Sequence, residues 1–264
     1  MNKAVFTLFI LLMGFSINAS SQVIALEGHY QGRDIYVQNP FSASGVGFCV
    51  YEVRVNGLVT TDEINSSAFS IDLSLLNLNF GDPVTIKISH KDGCDPIVIN
   101  PEALKPLSTF EVVNISVSES GLLKWATVEE SGSLDFIIEQ FRWNKWVKVG
   151  EVKGVGSPKV NKYQFQVVSH YGVNKVRVKQ IDSTKKPRYS IAMEYDPDMD
   201  PVTFTPLKVK KDITFSSKTM YEVYNMYGNI VAKGYSETFN TSGLEKGKYY
   251  LNYDNNFGET FQKK

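Results

Sequence analysis

Apolar and polar residues alternate in short runs along most of the chain. FCVYEVRV puts Cys49, Tyr51, Val53 and Val55 on one strand face and runs into Asn56-Gly57, a strong two-residue hairpin signal, with LVTTDEI returning. HYQGRDIYVQNP precedes it; AFSIDLSLL and PVTIKIS follow, divided by Gly81-Asp82-Pro83, and INPEALKP closes this stretch. A second series runs through FEVVNISVSESGLLKWATVEES, LDFIIEQF, KWVKVGEV, YQFQVV, KVRVKQI and RYSIAME, at spacings near the roughly 8–12 residues of a small sandwich. A third reads TMYEVYNM, the turn Tyr227-Gly228-Asn229, IVAKGYSE and YYLNYD. No amphipathic run reaches helix length. The pattern predicts an all-β chain of three consecutive small β-sandwich modules at 22–107, 108–196 and 203–264. YDPDMDP supplies a linker at 197–202, where Pro197 and Pro201 favour extended, semi-rigid backbone.

The first 21 residues read differently. Lys3 is followed by the apolar run VFTLFILLMGF and the small residues Asn18-Ala19-Ser20-Ser21, the layout of a secretory signal peptide cleaved before Gln22. No later run approaches the ~18 apolar residues of a spanning helix, so the mature chain is expected to be exported without one. Export changes the reading of the cysteines: in an oxidising compartment, Cys49 and Cys94 read as a disulfide in the first module rather than as a metal site or nucleophile. Two buried free thiols are the alternative.

Charge balances overall at 28 basic against 28 acidic residues, but not along the chain. Residues 22–107 carry 5 against 10 and residues 108–195 carry 13 against 9. Neither excess, without a binding motif, suggests nucleic acid. The enzyme case is thin. Gly-x-Ser-x-Gly, His-Glu-x-x-His and a phosphate-cradling glycine loop are missing, and His29, His90 and His170 sit in separate contexts. Asp196, Asp198 and Asp200 alternate like calcium ligands, but Pro201 stands where such a loop needs glycine and Leu207 where it needs glutamate. No catalysis, cofactor or metal is expected. In FRWNKWVKVG, Trp143 and Trp146 stand three apart, on opposite faces if the segment is a strand. One of them, with Arg142 and Lys145, would form a partner surface for sugar or protein, or cover the join between modules.

The second module carries LKWATVEES, DFIIEQF, WVKVGEV, YQFQV, VRVKQID and RYSIAME. It resembles the fibronectin-type-III-like repeat of secreted Bacteroidetes proteins, with valine where that repeat usually has tyrosine before Arg177. Asp182-Ser183-Thr184 looks like the acceptor tripeptide for O-glycosylation in those bacteria, and equally like a polar hairpin tip. The third module resembles the type A C-terminal sorting domain of the type IX secretion system. The match lies in Val223-Tyr224…Gly228…Val231, then Leu244…Gly247…Tyr249, and a Lys263-Lys264 end. The usual Asn-Pro start and the aspartate before the Leu-x-x-Gly element are missing. The resemblance implies that type IX machinery at the outer membrane recognises these residues, with Gly228 and Gly247 in tight turns and strand edges near Val223–Val231 and Tyr249–Tyr253. YQGRDIYVQNPF, GFCVYEVRVNG, SAFSIDLS, GDPVTIKISHKDGC and INPEAL resemble the start of PorA-like proteins. That resemblance implies a non-enzymatic component or regulator of the export system, in the periplasm, at the outer membrane or on the cell surface. The alternative is an exported surface adhesin or a carbohydrate- or protein-binding protein.

Overall fold

A computed structural model describes residues 22–43 and 45–264; the expected signal peptide lies outside the described residues. The fold is all-β, with two single-turn 3₁₀ segments at Leu73–Leu76 and Pro101–Leu104. Among the described residues no helix is long and apolar enough to cross a membrane. Two compact units form. One holds Asp34–Asp72, Thr85–Pro101 and the residues up to Glu27; the other holds Gly28–Arg33, Leu73–Val84 and Glu102–Lys264.

The N-terminal strands are β1 Gln22–His29, β2 Ile35–Gln38, β3 Val50–Val55, β4 Leu58–Val59, β5 Ala68–Ile71, β6 Pro83–His90 and β7 Ile97–Val98. They make a four-stranded sheet in the order β1-β6-β3-β4 and a three-stranded sheet in the order β5-β2-β7. Period-two alternation is visible in β6, where Ile86 and Ile88 are buried, and in β3, where Val53 and Val55 are. Asn56 and Gly57 take φ of 49° and 85°, the mirror-image turn that matches strand twist, and join β3 to β4 as the sequence predicts. A disulfide joins Cys49 to Cys94 across a separation of 45 residues. Nearby, buried Asn39 donates to the carbonyls of Ile64 and Ser66 at 2.9 and 3.1 Å and accepts from Val50 N at 2.9 Å.

The middle strands are β8 Glu111–Val117, β9 Leu122–Val128, β10 Phe136–Arg142, β11 Lys145–Val152, β12 Asn161–Gln166, β13 Asn174–Ile181, β14 Pro187–Tyr189 and β15 Met193–Tyr195. One sheet runs β11-β10-β13-β14, with β15 also on β13; the other runs β12-β9-β8. Their core includes Leu123, Trp125, Phe136, Ile138, Val176 and Val178. Trp125 is its large anchor, stacked on Tyr163 at 5.3 Å and edge-on to Phe136 at 5.8 Å. Beside it the buried Glu130 carboxylate accepts from Tyr163 Oη at 2.7 Å, Gly156 N at 2.7 Å and the Thr127 hydroxyl. Burial, with Glu130 adding to it, pushes the Tyr163 phenol well above its usual range. Gln31 donates to Ser131 O at 2.7 Å, and the Ser131 hydroxyl donates to Leu107 O at 2.8 Å. These bonds show why residues 28–33 and 102–107 group with the middle strands.

The terminal strands are β16 Phe204–Thr205, β17 Lys208–Val209, β18 Asp212–Tyr224, β19 Ile230–Asn240, β20 Gly247–Tyr253 and β21 Asn256–Lys263. All six belong to one hydrogen-bonded sheet, ordered β16-β18-β20-β21-β17, with β19 on the other side of β18. A break in the β18–β19 register between Thr214 and Thr219 lets a single sheet fold over one core. That core holds Ile213, Phe215, Val223, Phe239, Leu251 and Phe261 among others.

Candidate sorting surface and the joint that holds it

Most of the motif residues in the terminal module build the fold. Val223 is fully buried, and Tyr249 stacks on Phe261 at 5.5 Å while donating its hydroxyl to Glu245 O at 2.9 Å. Leu244 packs against the same core. Lys263 is buried; its Nζ donates to Lys210 O at 2.5 Å, and Lys264 N donates to Val209 O at 2.9 Å. Together they zip the chain end onto β17. Gly247 opens β20 rather than occupying a tight turn, whereas Gly228 does sit in one, with φ of 78°.

The expected edges are also corrected. Val223 pairs with Ala232 on one side and Leu251 on the other, and Tyr250 pairs with both Tyr224 and Thr260. Val223, Tyr224 and the Tyr249–Tyr253 segment are therefore interior, while the Val231 end of the first segment does lie on an edge. β19 is an edge strand, pairing among the described residues only with β18, as β17 at the other end of the sheet pairs only with β21. Val231 lies on β19 and is exposed.

What the module offers outward is its β18–β19 tip. The Asn225 side chain accepts from Tyr227 N and Asn229 N, both at 3.0 Å, holding the turn from within. Met226 and Tyr227 are left 72% and 80% exposed. With Val231, Leu244, Lys246 and Tyr249 they line a groove of about 340 Å³. Large apolar groups on a hydrogen-bonded turn, beside a loop that carries Glu245 and Lys246, suit protein recognition.

The four residues expected to form one partner surface do not stay together. Trp143 and Asn144 have φ of 51° and 57° and form the two-residue turn between β10 and β11, with Arg142 opposite Lys145. Strand parity therefore does not apply across this stretch. Trp146 lies opposite Phe141 and stacks with Arg177, whose Cζ is 4.0 Å from its ring centroid. Trp143, by contrast, is buried against the terminal module and donates its indole N–H to Asp254 O at 3.1 Å.

Arg142 is buried beside it. Its Nε donates to Gln140 Oε1 at 2.5 Å, Nη2 to Val168 O at 2.5 Å and Nη1 to Asp254 O at 3.3 Å. Burial lowers its pKa to about 10, with Asp254 opposing the shift, so the guanidinium stays charged near neutral pH. The Asp254 carboxylate accepts from Tyr171 N at 3.1 Å and Val202 N at 3.2 Å. One residue in the β20–β21 turn thus ties together the middle module, the linker and the terminal module. Lys145 adds a more exposed clasp, donating to Glu222 Oε2 at 2.6 Å and to Tyr224 Oη at 2.8 Å. Burial pulls its pKa down, but these two partners outweigh that and raise it. Lys145 and Tyr224 therefore belong to the joint. Sequence reading missed Asp254, Tyr171, Val202 and Glu222, since nothing local distinguishes them from ordinary turn or strand residues.

No curated protein matches the chain. A tetra-tandem repeat from the extending region of a large adhesion protein aligns at 12% identity over 92% of this chain and 73% of its own, with a TM-score of 0.31. The fibronectin(III)-like modules of Clostridium thermocellum CbhA align at 10% over 58% and 91%, with a TM-score of 0.20. The FN1–FN3 domains of chicken CNTN1 align at 9% over 90% and 100%, with a TM-score of 0.23. Residues 205–264 match the family model of the secretion system C-terminal sorting domain, which supports a protein sorted by the type IX system to the cell surface.

Proposed function

We propose that this chain is a non-enzymatic component or regulator of the type IX secretion system, of the PorA-like kind, recognised by that machinery through its terminal module. The observation that carries the reading is the sorting-domain match over residues 205–264, a segment that forms one hydrogen-bonded sheet with its own core. The docking surface is the Met226–Tyr227 tip and its groove, because the rest of the motif is occupied in packing. The adhesin alternative loses the surface first assigned to it, since Arg142, Trp143 and Lys145 are engaged in the joint.

Deleting residues 203–264 would uncover buried Trp143 and Arg142, so loss of location and loss of stability would be confounded. A cleaner test is the double substitution Met226→Asp and Tyr227→Asp in an exposed turn. The variant is expected to melt like the parent yet accumulate in the periplasm. Normal outer-membrane or surface location of this stable variant refutes the docking surface.

A further inference from the structure

The middle module treats the cations of its two sheets differently. On β10, β11 and β13, Lys148, Lys175, Arg177 and Lys179 each meet a carboxylate: Glu151, Glu194 or Glu139. Among the described residues, the lysines on the outer face of the β12-β9-β8 sheet have no such pairing. There Lys162, Ala126 and Asn114 lie side by side across the three strands, and Gln164, Lys124 and Ser116 form the next row. These six residues line an open groove of about 590 Å³, and none of the lining residues is acidic. Among the described residues, the side chains of Lys124, Lys162, Asn114, Ser116 and Gln164 have no hydrogen-bond or ion-pair partner in the protein. Lys124 and Lys162 stand diagonally on neighbouring strands, roughly 7 Å apart at Cβ, close enough for both ammonium groups to meet one anionic group. Ala126 leaves the floor between them low.

From this arrangement we infer that the outer face of the β12-β9-β8 sheet is a binding site for an acidic polysaccharide. The two lysines would take a carboxylate or sulfate, while Asn114, Gln164 and Ser116 would exchange hydrogen bonds with sugar hydroxyls. The module's net charge of +4 over residues 108–195, from 13 basic and 9 acidic side chains, attracts such a polymer. Single-stranded nucleic acid fits less well. Trp125 and Tyr163 turn their rings into the core, 2% and 8% exposed, and leave no stacking platform in the groove.

The test is calorimetric titration of the full mature chain with polygalacturonate and with dextran sulfate. Neutral dextran, polyglutamate and an oligo-dT serve as comparisons. At least one acidic glycan is expected to bind, and to bind more tightly than all three comparisons. Lys124→Gln with Lys162→Gln should weaken that binding about tenfold or more. Ala126→Trp, which fills the groove without changing charge, should weaken it similarly. The inference is overturned if neither acidic glycan binds, or if polyglutamate or oligo-dT binds as tightly. It is equally overturned if either folded variant binds like the parent. Export of the chain is a separate readout, so failure here leaves the sorting reading intact.

Discussion

Asp254→Ala is expected to be among the most damaging single changes outside the apolar cores. In the parent, the carboxylate receives two backbone N–H groups, from Tyr171 at 3.1 Å and Val202 at 3.2 Å. It also opposes the desolvation of the buried Arg142 guanidinium. Alanine leaves both donors without their acceptor, at about 1–3 kcal/mol each where water cannot replace it. It also takes the main opposing charge from a buried cation, a class of change that costs roughly 3–5 kcal/mol by itself. These costs overlap, because the backbone carbonyl of residue 254 still accepts from Arg142 and Trp143. Residue 254 has φ of 49°, where alanine adds about 1 kcal/mol of strain relative to aspartate or asparagine. The expected loss is about 3–5 kcal/mol.

Asp254→Asn isolates the charge. It tolerates the same backbone conformation and retains one carbonyl oxygen, so it should lose about half as much. Scanning calorimetry of the full chain, followed in parallel by tryptophan fluorescence, reads both variants. At about 2–4 °C per kcal/mol for a unit of this size, the alanine variant should melt roughly 10 °C lower in the transition that exposes Trp143. An alanine variant within about 0.5 kcal/mol of the parent refutes the claim that this carboxylate pins the joint.

Replacing Cys49 and Cys94 together with serine should destabilise the first unit by about 4 kcal/mol, the chain-entropy estimate for a loop of this length. Chemical denaturation with and without reductant checks it, and an unchanged midpoint would exclude a stabilising bridge. A third expectation concerns pH. His170 is lowered from its ordinary value of 6.5 mainly by burial, with the nearby Arg142 adding to the shift and the bond to Tyr171 O opposing it. The unfolded chain therefore takes up this proton more readily than the folded one. Its stability contribution is intact above the ordinary value and declines as pH falls through 6.5 toward the folded pKa. A melting series from neutral to mildly acidic pH should show this decline reduced in His170→Gln; an identical slope in parent and variant would refute it.

The sequence by itself determined the β class, most strands, the Asn56-Gly57 hairpin, the Trp125 anchor, the cysteine pair and the sorting-domain motif at the end of the chain. Those features are local. Period-two alternation reports which face of a strand is buried, and turn chemistry is written in two or three adjacent residues. Tertiary structure decided how the motif residues are used. Val223 and Tyr249 became core, β19 became an edge strand, and the large apolar groups left exposed at the β18–β19 tip are Met226 and Tyr227. It also decided the fate of Arg142, Trp143 and Lys145. Arginine between two strands reads as solvent-facing, because polarity is the only local signal and burial of a charge requires partners. Those partners lie 112 residues away at Asp254 and 77 away at Glu222. Only the folded chain brings two hairpin turns from different modules together, and a buried charge satisfied at that range leaves no periodicity in the sequence to find.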